Sequence, residues 1–210
     1  RKQSAMATRI LSISGLRGVI GDGLDPVYTS RFAAALGTMF CGGKVVLARD
    51  GRSTGPMLHH AVVSGLLATG CEVLDAGVCT TPTCGVLVQH HKAAGGLQIT
   101  ASHNPIEWNG LKPFAPDGSV FNRELGQQLL QILEQDSIAW RNWSGLGSLV
   151  SLQNPSQVHI DKVLSLVNVE AIRRRRFKVV LDCNHGSGAV CGPQLLQALA
   201  QQRTFGFGRP

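Results

Sequence analysis

The apolar residues of this chain change period repeatedly, between short continuous runs and stripes that recur every three or four positions. Short apolar runs predict buried strands at Lys44 to Ala48, Glu72 to Val78 and Gly96 to Thr100. Helical stripes begin after Asp25-Pro26 and at Pro56, where the residue types favour a helix start. Strands that alternate with helices predict a layered α/β domain with helices on both faces of the sheet.

Two shorter helices complete this first unit. Thr81-Pro82 predicts the start of a helix that runs through Val88. Asn122 is a suitable N-cap for a helix with one apolar face. That face is formed by Leu125, Leu129, Ile132 and Leu133.

The last third of the chain repeats the same alternation after an interruption. Trp143 to Pro155 is rich in Gly and Ser and is predicted to be a linker. A helix is predicted from Ser156 to Arg174, and a strand from Phe177 to Asp182. A Gly-rich turn at Asn184 to Gly188 and a helix opened by Pro193 would follow. This pattern predicts the start of a second α/β domain.

Composition excludes several classes of protein. The chain has 210 residues, of which 43% are hydrophobic and 16% charged, which excludes a disordered or collagen-like chain. Acids, glycines or prolines interrupt every long apolar stretch too early for it to span a bilayer, and no signal peptide is evident, so we expect a soluble, cytoplasmic protein that binds no membrane. The net charge of +7 includes the run Arg173 to Arg176, but aromatic residues are only 5%, which disfavours nucleic-acid binding.

The six cysteines could indicate disulfides or zinc. An apolar chain of this length without a secretion signal favours reduced, buried thiols. Cys79 and Cys84 have His90 and His91 beyond them, but no second cysteine pair follows at zinc-finger spacing. A zinc site is therefore disfavoured.

Residues Thr100 to Pro105 form the most informative loop, because they follow a predicted strand in an α/β sheet. Ser102 is expected to be exposed there, with backbone N–H groups able to face an anion. An ordinary Ser/Asn/Pro turn is the alternative. No G-x-S-x-G surrounds Ser102, and His103 is expected to point away from it on an extended chain, which disfavours a serine hydrolase.

Two other loops carry cations that suit phosphate. Ser14 to Gly18 combines glycines with Arg17, whose guanidinium can bind phosphate through two donors. Arg49 and Arg52 flank Asp50 after a predicted strand, and they form either a surface ion pair or a phosphate site. Asn109-Gly110 predicts a tight turn that brings Lys112 toward Ser102, where its amine could exchange protons.

Taken together, these segments closely resemble the α-D-phosphohexomutases, the family of phosphoglucomutases, phosphomannomutases and phosphoglucosamine mutases. The segment Thr100 to Pro105, followed by Asn109-Gly110 and Lys112, is similar to the family's active-site segment. Further landmarks match in the same order. They are Ser14 to Gly18, Arg49 to Arg52, Thr80 to Thr83 and Asp182 to Gly188.

The resemblance implies a fold and a reaction. The fold is a three-layer α/β/α sandwich with a mixed sheet over residues 8–143, a linker at 144–155, and the truncated start of a second, similar domain at 156–210. Ser102 would be a phosphoserine that exchanges its phosphoryl group with a sugar phosphate through a sugar bisphosphate. The net reaction moves phosphate between the sugar's 1 and 6 positions.

The resemblance also implies residue roles. Arg17 would steady the phosphate, Lys112 would be the general acid/base, and His103 would line the loop. Asn104 would hold the loop's shape, and a Mg²⁺ ion would bind a phosphate oxygen on Ser102. Ser14, Arg49 and Arg52 are the remaining candidates for binding phosphate or substrate.

The sequence departs from the family in its metal ligands. Family members hold Mg²⁺ with aspartates of a D-G-D-x-D-R loop in their second domain, and these 210 residues contain no D-x-D. We therefore expect this stretch, taken as an N-terminal fragment, to be inactive alone.

Residues 108–112 favour a phosphoglucosamine mutase, with phosphoglucomutase/phosphomannomutase as the alternative. A non-catalytic phosphosugar-binding module is a third possibility.

Overall fold

The computed structural model describes residues 9–12, 15–184 and 186–200. In these residues seven strands form one sheet. The strands are β1 (Arg9–Ser12), β2 (Gly15–Val19), β3 (Lys44–Arg49), β4 (Glu72–Val78), β5 (Gly95–Ile99), β6 (Trp108–Phe114) and β7 (Ser148–Ser151). The helices are α1 (Pro26–Met39), α2 (Gly55–Ala68), α3 (Thr81–His90), α4 (Arg123–Glu134), α5 (Ser156–Ser165), α6 (Val169–Arg175) and α7 (Gly188–Leu199).

The sheet is mixed, as predicted. Its strand order is β1-β2-β6-β5-β3-β4-β7. The pairs β5–β3, β3–β4 and β4–β7 are parallel, whereas β1–β2, β2–β6 and β6–β5 are antiparallel. The carboxyl ends of β3 and β5 therefore lie at one edge of the sheet, and β6 begins at that same edge.

The two faces of the sheet are covered by different helices, which confirms the α/β/α layering. On β3, Val45 and Leu47 pack into a cluster with α1, α2 and α4. Val46 and Ala48 face the opposite cluster, which includes α3 and a side chain of α5. All four side chains are buried, as expected for a central parallel strand that alternates between two covered faces.

Side-chain caps fix two of the predicted helix starts. Asp25 Oδ1 accepts a hydrogen bond from Tyr28 N–H at 2.8 Å and precedes Pro26, the first residue of α1. Asn122 Oδ1 accepts from Leu125 N–H at 2.9 Å and begins α4. Each cap satisfies an N–H group that the helix itself leaves free.

Helices α1 and α2 pack closely because α2 has a glycine at the contact. A Cβ added to Gly65 would lie 2.3 Å from Ser30 O and 3.0 Å from Ala33 Cβ. Because Gly65 has a hydrogen where alanine has a methyl group, α1 and α2 can pack at this short distance.

The predicted linker contains a strand. Within Trp143 to Pro155, β7 pairs in parallel with β4 and extends the sheet by one strand. Its sequence, Ser-Leu-Val-Ser, is exposed at all four positions, so no apolar pattern marks it. The strand forms because the backbone groups on the free edge of β4 take partners there.

Three other predictions for the last third were wrong. The single helix predicted from Ser156 to Arg174 is two helices, because the Asn168 side chain accepts from Ala171 N–H at 2.9 Å and begins α6. Pro193 lies inside α7 and does not open it. Residues 177–182 form no strand, since no described strand lies beside them to complete the hydrogen bonds, and Val180 is 98% exposed.

Helix α5 contacts α3 through a short chain of polar groups. His159 Nδ1 lies 2.9 Å from Thr83 Oγ1, which lies 2.7 Å from Thr80 Oγ1. Burial, together with the nearby Lys162 charge, lowers the pKa of His159. The neutral imidazole is therefore the form that fits this contact.

The cysteines behave largely as predicted. Cys71, Cys79, Cys84 and Cys191 are buried, Cys41 is exposed, and none of the six is paired in a disulfide. Among the helices of the described ranges, none combines the length and the apolar character needed to cross a bilayer.

We predict that Gly65→Ala destabilises the fold. Overpacking of this kind costs about 1–3 kcal/mol, whereas alanine gains about 1 kcal/mol in helix propensity over glycine. The clash should win, because the nearest atom is a backbone oxygen that cannot rotate away. Chemical denaturation measures the change, and Ser64→Ala, at the exposed neighbouring position, is the control. A variant as stable as the parent would contradict the packing argument.

We also predict that the α3–α5 contact weakens at acid pH. A histidine whose folded pKa is lowered stabilises the protein above its unfolded pKa, about 6.5. That stability is lost as pH falls through the lower folded value. The parent chain should therefore lose more stability between pH 7.5 and pH 5 than His159→Gln does. Identical pH profiles of the free energy of unfolding would refute the assignment.

Candidate active site

The loop of residues 100–107, called the Ser102 loop below, lies at the carboxyl edge of the sheet. It leaves β5 and returns at β6, and Thr100 N–H donates to Gly110 O at 2.9 Å beside its start. The chain leaving β3 is equally close, because Asp50 N–H donates to Ile99 O at 2.9 Å. This edge is where open α/β sheets bind ligands.

Ser102 is exposed and has an uncommon backbone conformation. Its φ is +57°, in the left-handed region that residues other than glycine rarely adopt. Its N–H donates to Thr100 Oγ1 at 3.0 Å, and its Oγ lies 3.3 Å from His103 Nδ1. The prediction that His103 points away from Ser102 was therefore wrong, because it assumed an extended chain.

Asp50 joins the ends of β3 and β5 through both carboxylate oxygens. Oδ1 accepts from Arg52 N–H at 3.0 Å, and Oδ2 accepts from Thr100 Oγ1 at 2.7 Å. The Arg52 Nε atom also lies 3.4 Å from Oδ2. One carboxylate thus orients both the arginine and the threonine that supports Ser102.

The Arg52 guanidinium lies against the Ser102 loop and donates to four backbone carbonyl groups. Three of them are in the loop, and the fourth is that of Trp108, the first residue of β6. Nη1 donates to Pro105 O at 2.8 Å and to Trp108 O at 3.0 Å. Nη2 donates to Ser102 O at 3.1 Å and to Asn104 O at 2.6 Å. Arg52 was predicted to bind phosphate or substrate, but here its donors are directed at the protein backbone.

Asn104 lies inside the loop, where it was predicted to hold the loop's shape. Its N–H donates to Ala101 O at 3.1 Å, which closes a tight turn around Ser102. Its Oδ1 atom is buried and accepts no hydrogen bond from the part of the chain that the structure describes.

Arg17 lies on β2 at the same edge. It is in register with Gly110 on β6, and a Cβ at Gly110 would lie 3.1 Å from Arg17 Cγ and 2.4 Å from Leu16 O. The absence of a side chain at Gly110 therefore leaves room for the Arg17 side chain to cross β6. Residues paired directly across an antiparallel ladder share a face, so Arg17 lies on the face of Gly110.

Lys112 lies on that same face, two residues along β6. It is in register with Gln98 on β5, and its side chain is half-buried. The tight turn predicted at Asn109-Gly110 was wrong, since both residues lie inside β6. Lys112 is thus placed near the site by the strand register. Among described residues, neither Arg17 nor Lys112 forms a salt bridge.

Arg49 is the last residue of β3 and is in register with Ile99 on β5. Its Nη1 donates to Asp50 O at 3.2 Å, and its charge acts on Asp75, whose Oδ2 lies 3.0 Å from His59 Nε2. Burial opposes ionisation of Asp75, but hydrogen bonds from His59 and the Gly77 N–H outweigh it and lower the pKa of Asp75. Arg49 therefore belongs to a charged group behind the loop.

The nearby thiols are unsuited to nucleophilic chemistry. Burial, with smaller effects from Cys191 and Asp75, raises the pKa of Cys79 to about 12. Burial likewise holds the pKa of Cys84 well above its usual value. Thiolate is the reactive form of cysteine, so the exposed Ser102 hydroxyl is the better nucleophile at this edge.

Two predicted positions lie outside the described residues. They are Ser14, a candidate phosphate ligand, and His185, in the Gly-rich turn of the second unit.

The residues present do not form a complete magnesium site. No group of three or more His, Cys, Asp or Glu side chains within the described ranges could hold a metal ion. Both oxygens of Asp50, the carboxylate that supports the loop, already accept hydrogen bonds. Magnesium prefers six oxygen ligands in octahedral array, which a phosphate on Ser102 would supply only in part.

Sequence reasoning missed the polar residues that support the loop. Asn109 is fully buried, and its Nδ2 donates to Thr54 Oγ1 at 2.9 Å, which ties β6 to the residue before α2. Thr100 is the first residue of the Thr100 to Pro105 motif, but its partner Asp50 lies 50 positions away in the sequence. The signal was the concentration of polar residues in this motif, directly after the buried strand β5.

The arrangement supports transfer of an anionic group to and from a serine. The exposed Ser102 hydroxyl lies on a loop that several hydrogen bonds hold. The cationic residues Arg17 and Lys112 lie on one face of the sheet beside that loop. A hydrolase arrangement is less well supported, because Asp50, the carboxylate that supports the loop, is already engaged by Thr100 and Arg52.

Relatives of this chain are sugar-phosphate mutases by name. A protein of Thermococcus kodakarensis named "Probable phosphoglucosamine mutase" is 36% identical over 189 residues, which are 90% of this chain and 41% of that protein. One of Methanopyrus kandleri with the same name is 38% identical over 89% of this chain and 40% of its own length. A T. kodakarensis "Phosphoglucomutase/phosphomannomutase" is 34% identical over 91% and 43% respectively. The chain thus spans about two fifths of these relatives.

Solved structures agree in fold. A phosphoglucomutase/phosphomannomutase family protein of Burkholderia thailandensis has a TM-score of 0.67 and 25% identity, over 90% of this chain and 43% of that one. The Paramecium phosphoglucomutase parafusin has a TM-score of 0.71 at 15% identity, over 94% and 42%, which shows the fold alone.

The family model described as phosphoglucomutase/phosphomannomutase, alpha/beta/alpha domain I, matches residues 9–139, which are more than half of the chain and include Arg17, Arg52 and the Ser102 loop. The chain therefore belongs to the phosphoglucomutase/phosphomannomutase family, the α-D-phosphohexomutases.

Proposed function

We propose that these residues carry the phosphoserine site of a phosphohexomutase, with Ser102 as the residue that accepts and donates the phosphoryl group. The observation that carries the proposal is the exposed Ser102 hydroxyl on a loop whose backbone is held by Asp50 and Arg52. The matched family supplies the reaction class, and phosphoryl transfer depends mainly on positioning and charge.

In the first transfer, a free hydroxyl oxygen of a hexose monophosphate attacks the phosphorus on Ser102. The bond from phosphorus to Ser102 Oγ breaks as the bond to the sugar oxygen forms. The proton of the sugar hydroxyl passes to a base, for which we propose Lys112, and Lys112 then gives a proton to the departing Ser102 Oγ. The resulting sugar bisphosphate then reorients in the site, and its other phosphate is transferred to Ser102 Oγ by the reverse steps.

The remaining predicted roles follow from where the side chains lie. We propose that Arg17, on the face shared with Lys112, binds phosphate oxygens through its guanidinium. His103 Nδ1, 3.3 Å from Ser102 Oγ, would line the loop and orient the hydroxyl between transfers. Asn104 would keep the turn closed. Ser14 and Arg49 remain candidates for binding substrate phosphate.

The family implies a magnesium ion, which these residues do not fit as a complete site. We propose that any Mg²⁺ bound to the phosphate on Ser102 takes its other ligands from protein outside the described residues. For that reason we propose that the 210 residues alone do not turn over substrate.

For the substrate we propose a hexosamine phosphate, as the motif Trp108 to Lys112 predicts. Two relatives named for phosphoglucosamine support this choice. Hexose phosphates of the glucose and mannose type are the alternative, supported by a relative of nearly equal identity named for them.

We further propose that residues 156–210 begin a second unit, with residues 144–155 as the connection. The connection would then include β7, so it would be partly fixed to the sheet of the first unit. The contact of α5 with α3 supports a close approach of the two units.

A non-catalytic phosphosugar-binding module is the second candidate, and the incomplete metal site is the observation that favours it. It would bind sugar phosphates without forming phosphoserine. The two candidates therefore differ in whether Ser102 is chemically required.

We predict that Ser102→Ala in the complete gene product lowers mutase turnover at least about 1,000-fold, as loss of a nucleophile does. Coupled assays with glucosamine 6-phosphate and glucose 6-phosphate measure the rate and rank the substrates. Ser53→Ala, which removes another exposed serine beside the site, should keep the parent rate. Full activity of Ser102→Ala would refute the mutase proposal, whereas binding without any turnover in the parent would favour the module.

We predict that Lys112→Met lowers kcat by about 100- to 10,000-fold with little change in KM, as expected for loss of a general acid/base. The matched control is Lys92→Met, at an exposed position after α3. An unchanged kcat would exclude Lys112 as the base.

A further inference from the structure

We propose that Arg52 is a positioning residue that holds the Ser102 loop in its reactive shape, and that it does not bind the transferred phosphate. This inference rests on the proposed function, because it assigns how the phosphoserine is held. It differs from the sequence-based expectation for Arg52, which grouped it with the phosphate-binding residues.

The first argument is a count of donors. A guanidinium has five N–H groups in a rigid plane and no acceptor. Four of them are directed at the carbonyl groups of Ser102, Asn104, Pro105 and Trp108. The fifth is on Nε, and this atom lies 3.4 Å from Asp50 Oδ2 in an ion pair. A phosphate could bind Arg52 only by displacing contacts that the loop already makes.

The second argument is where the acceptors lie. The four carbonyl groups belong to residues 102–108, at least 50 positions from Arg52 in sequence. One side chain on the β3–α2 connection therefore fixes both the start and the end of the loop. No other described side chain donates to more than one of these four carbonyl groups.

The third argument concerns Ser102 itself. Its N–H donates to Thr100 Oγ1, and its carbonyl oxygen accepts from Arg52 Nη2. Both peptide groups that flank its left-handed φ are thus tied to groups that Asp50 orients. Residues other than glycine keep such a conformation only where surrounding contacts impose it.

The environment makes these contacts effective. The Arg52 and Asp50 side chains are 15% and 17% exposed, so water competes for them less than at an open surface. The guanidinium also offsets the negative ends of four carbonyl dipoles, which would otherwise repel a phosphate at this loop. Arg52 thus favours the anion electrostatically while leaving direct contact to other residues.

Lysine at position 52 separates the two roles. It keeps the positive charge and binds phosphate as a point charge, but its single nitrogen cannot reach four carbonyl groups held in a planar array. In the complete gene product, Arg52→Lys should therefore lose about 100-fold in kcat, close to Arg52→Ala, with KM changed little. Arg123→Lys, at an exposed position, is the matched control and should keep the parent kcat.

Chemical rescue gives a readout that general damage to the fold would not. Guanidinium ion added to Arg52→Ala should restore part of kcat, and methylammonium at the same concentration should not, because only the planar ion matches the carbonyl array. Circular dichroism and cooperative thermal unfolding check that each variant is folded. Equal rescue by both ions would overturn the proposal.

Amide exchange tests the loop independently of activity. Backbone N–H groups of residues 102–104 and 106–108 should exchange faster in Arg52→Lys than in the parent, while those of β3 and β5 should be unchanged. Parent-like exchange, or a parent-like kcat in Arg52→Lys, would overturn the inference and leave the proposed function standing. If the parent shows no mutase activity, the proposed function fails, and the exchange rates still decide whether Arg52 holds the loop.

Discussion

The carboxylate of Asp50 is the contact on which the site depends. It lies at the end of β3, and its two oxygens hold the backbone N–H of Arg52 and the hydroxyl of Thr100. Thr100 supports the N–H of Ser102, and Arg52 supports the carbonyl side of the loop. Alanine at position 50 would remove the charge partner of Arg52 and the acceptor of Thr100 together.

This contact is possible because β3 and β5 are parallel neighbours in the centre of the sheet. Their carboxyl ends meet at one edge, and antiparallel β6 and β2 bring Lys112 and Arg17 back to the same face. Alternate side chains of β3 are buried in the two core clusters, which fixes the register of the central strands. The polar residues at the ends of these strands are therefore held in fixed positions by the core. Rigid strands thus orient a loop that must keep a strained serine exposed.

The sequence predicted the elements that periodicity and capping determine, and it located the serine loop by its polar motif at a strand end. It failed where structure depends on a distant partner. β7 forms only because β4 has a free edge, and within the part of the chain that the structure describes no strand lies beside residues 177–182. The role of Arg52 was likewise hidden, since its acceptors are backbone carbonyl groups, which every residue carries and no motif marks.

The most direct test of the account is a ³¹P NMR spectrum of the complete gene product, purified from cells without added sugar phosphate. We expect a single phosphoserine resonance that peptide mapping assigns to Ser102 and that disappears when a hexosamine or hexose monophosphate is added. Discharge would show that the phosphoryl group is transferable. A protein without phosphoserine, or with a phosphoserine that no sugar phosphate discharges, would contradict the central claim that Ser102 is a phosphoryl donor.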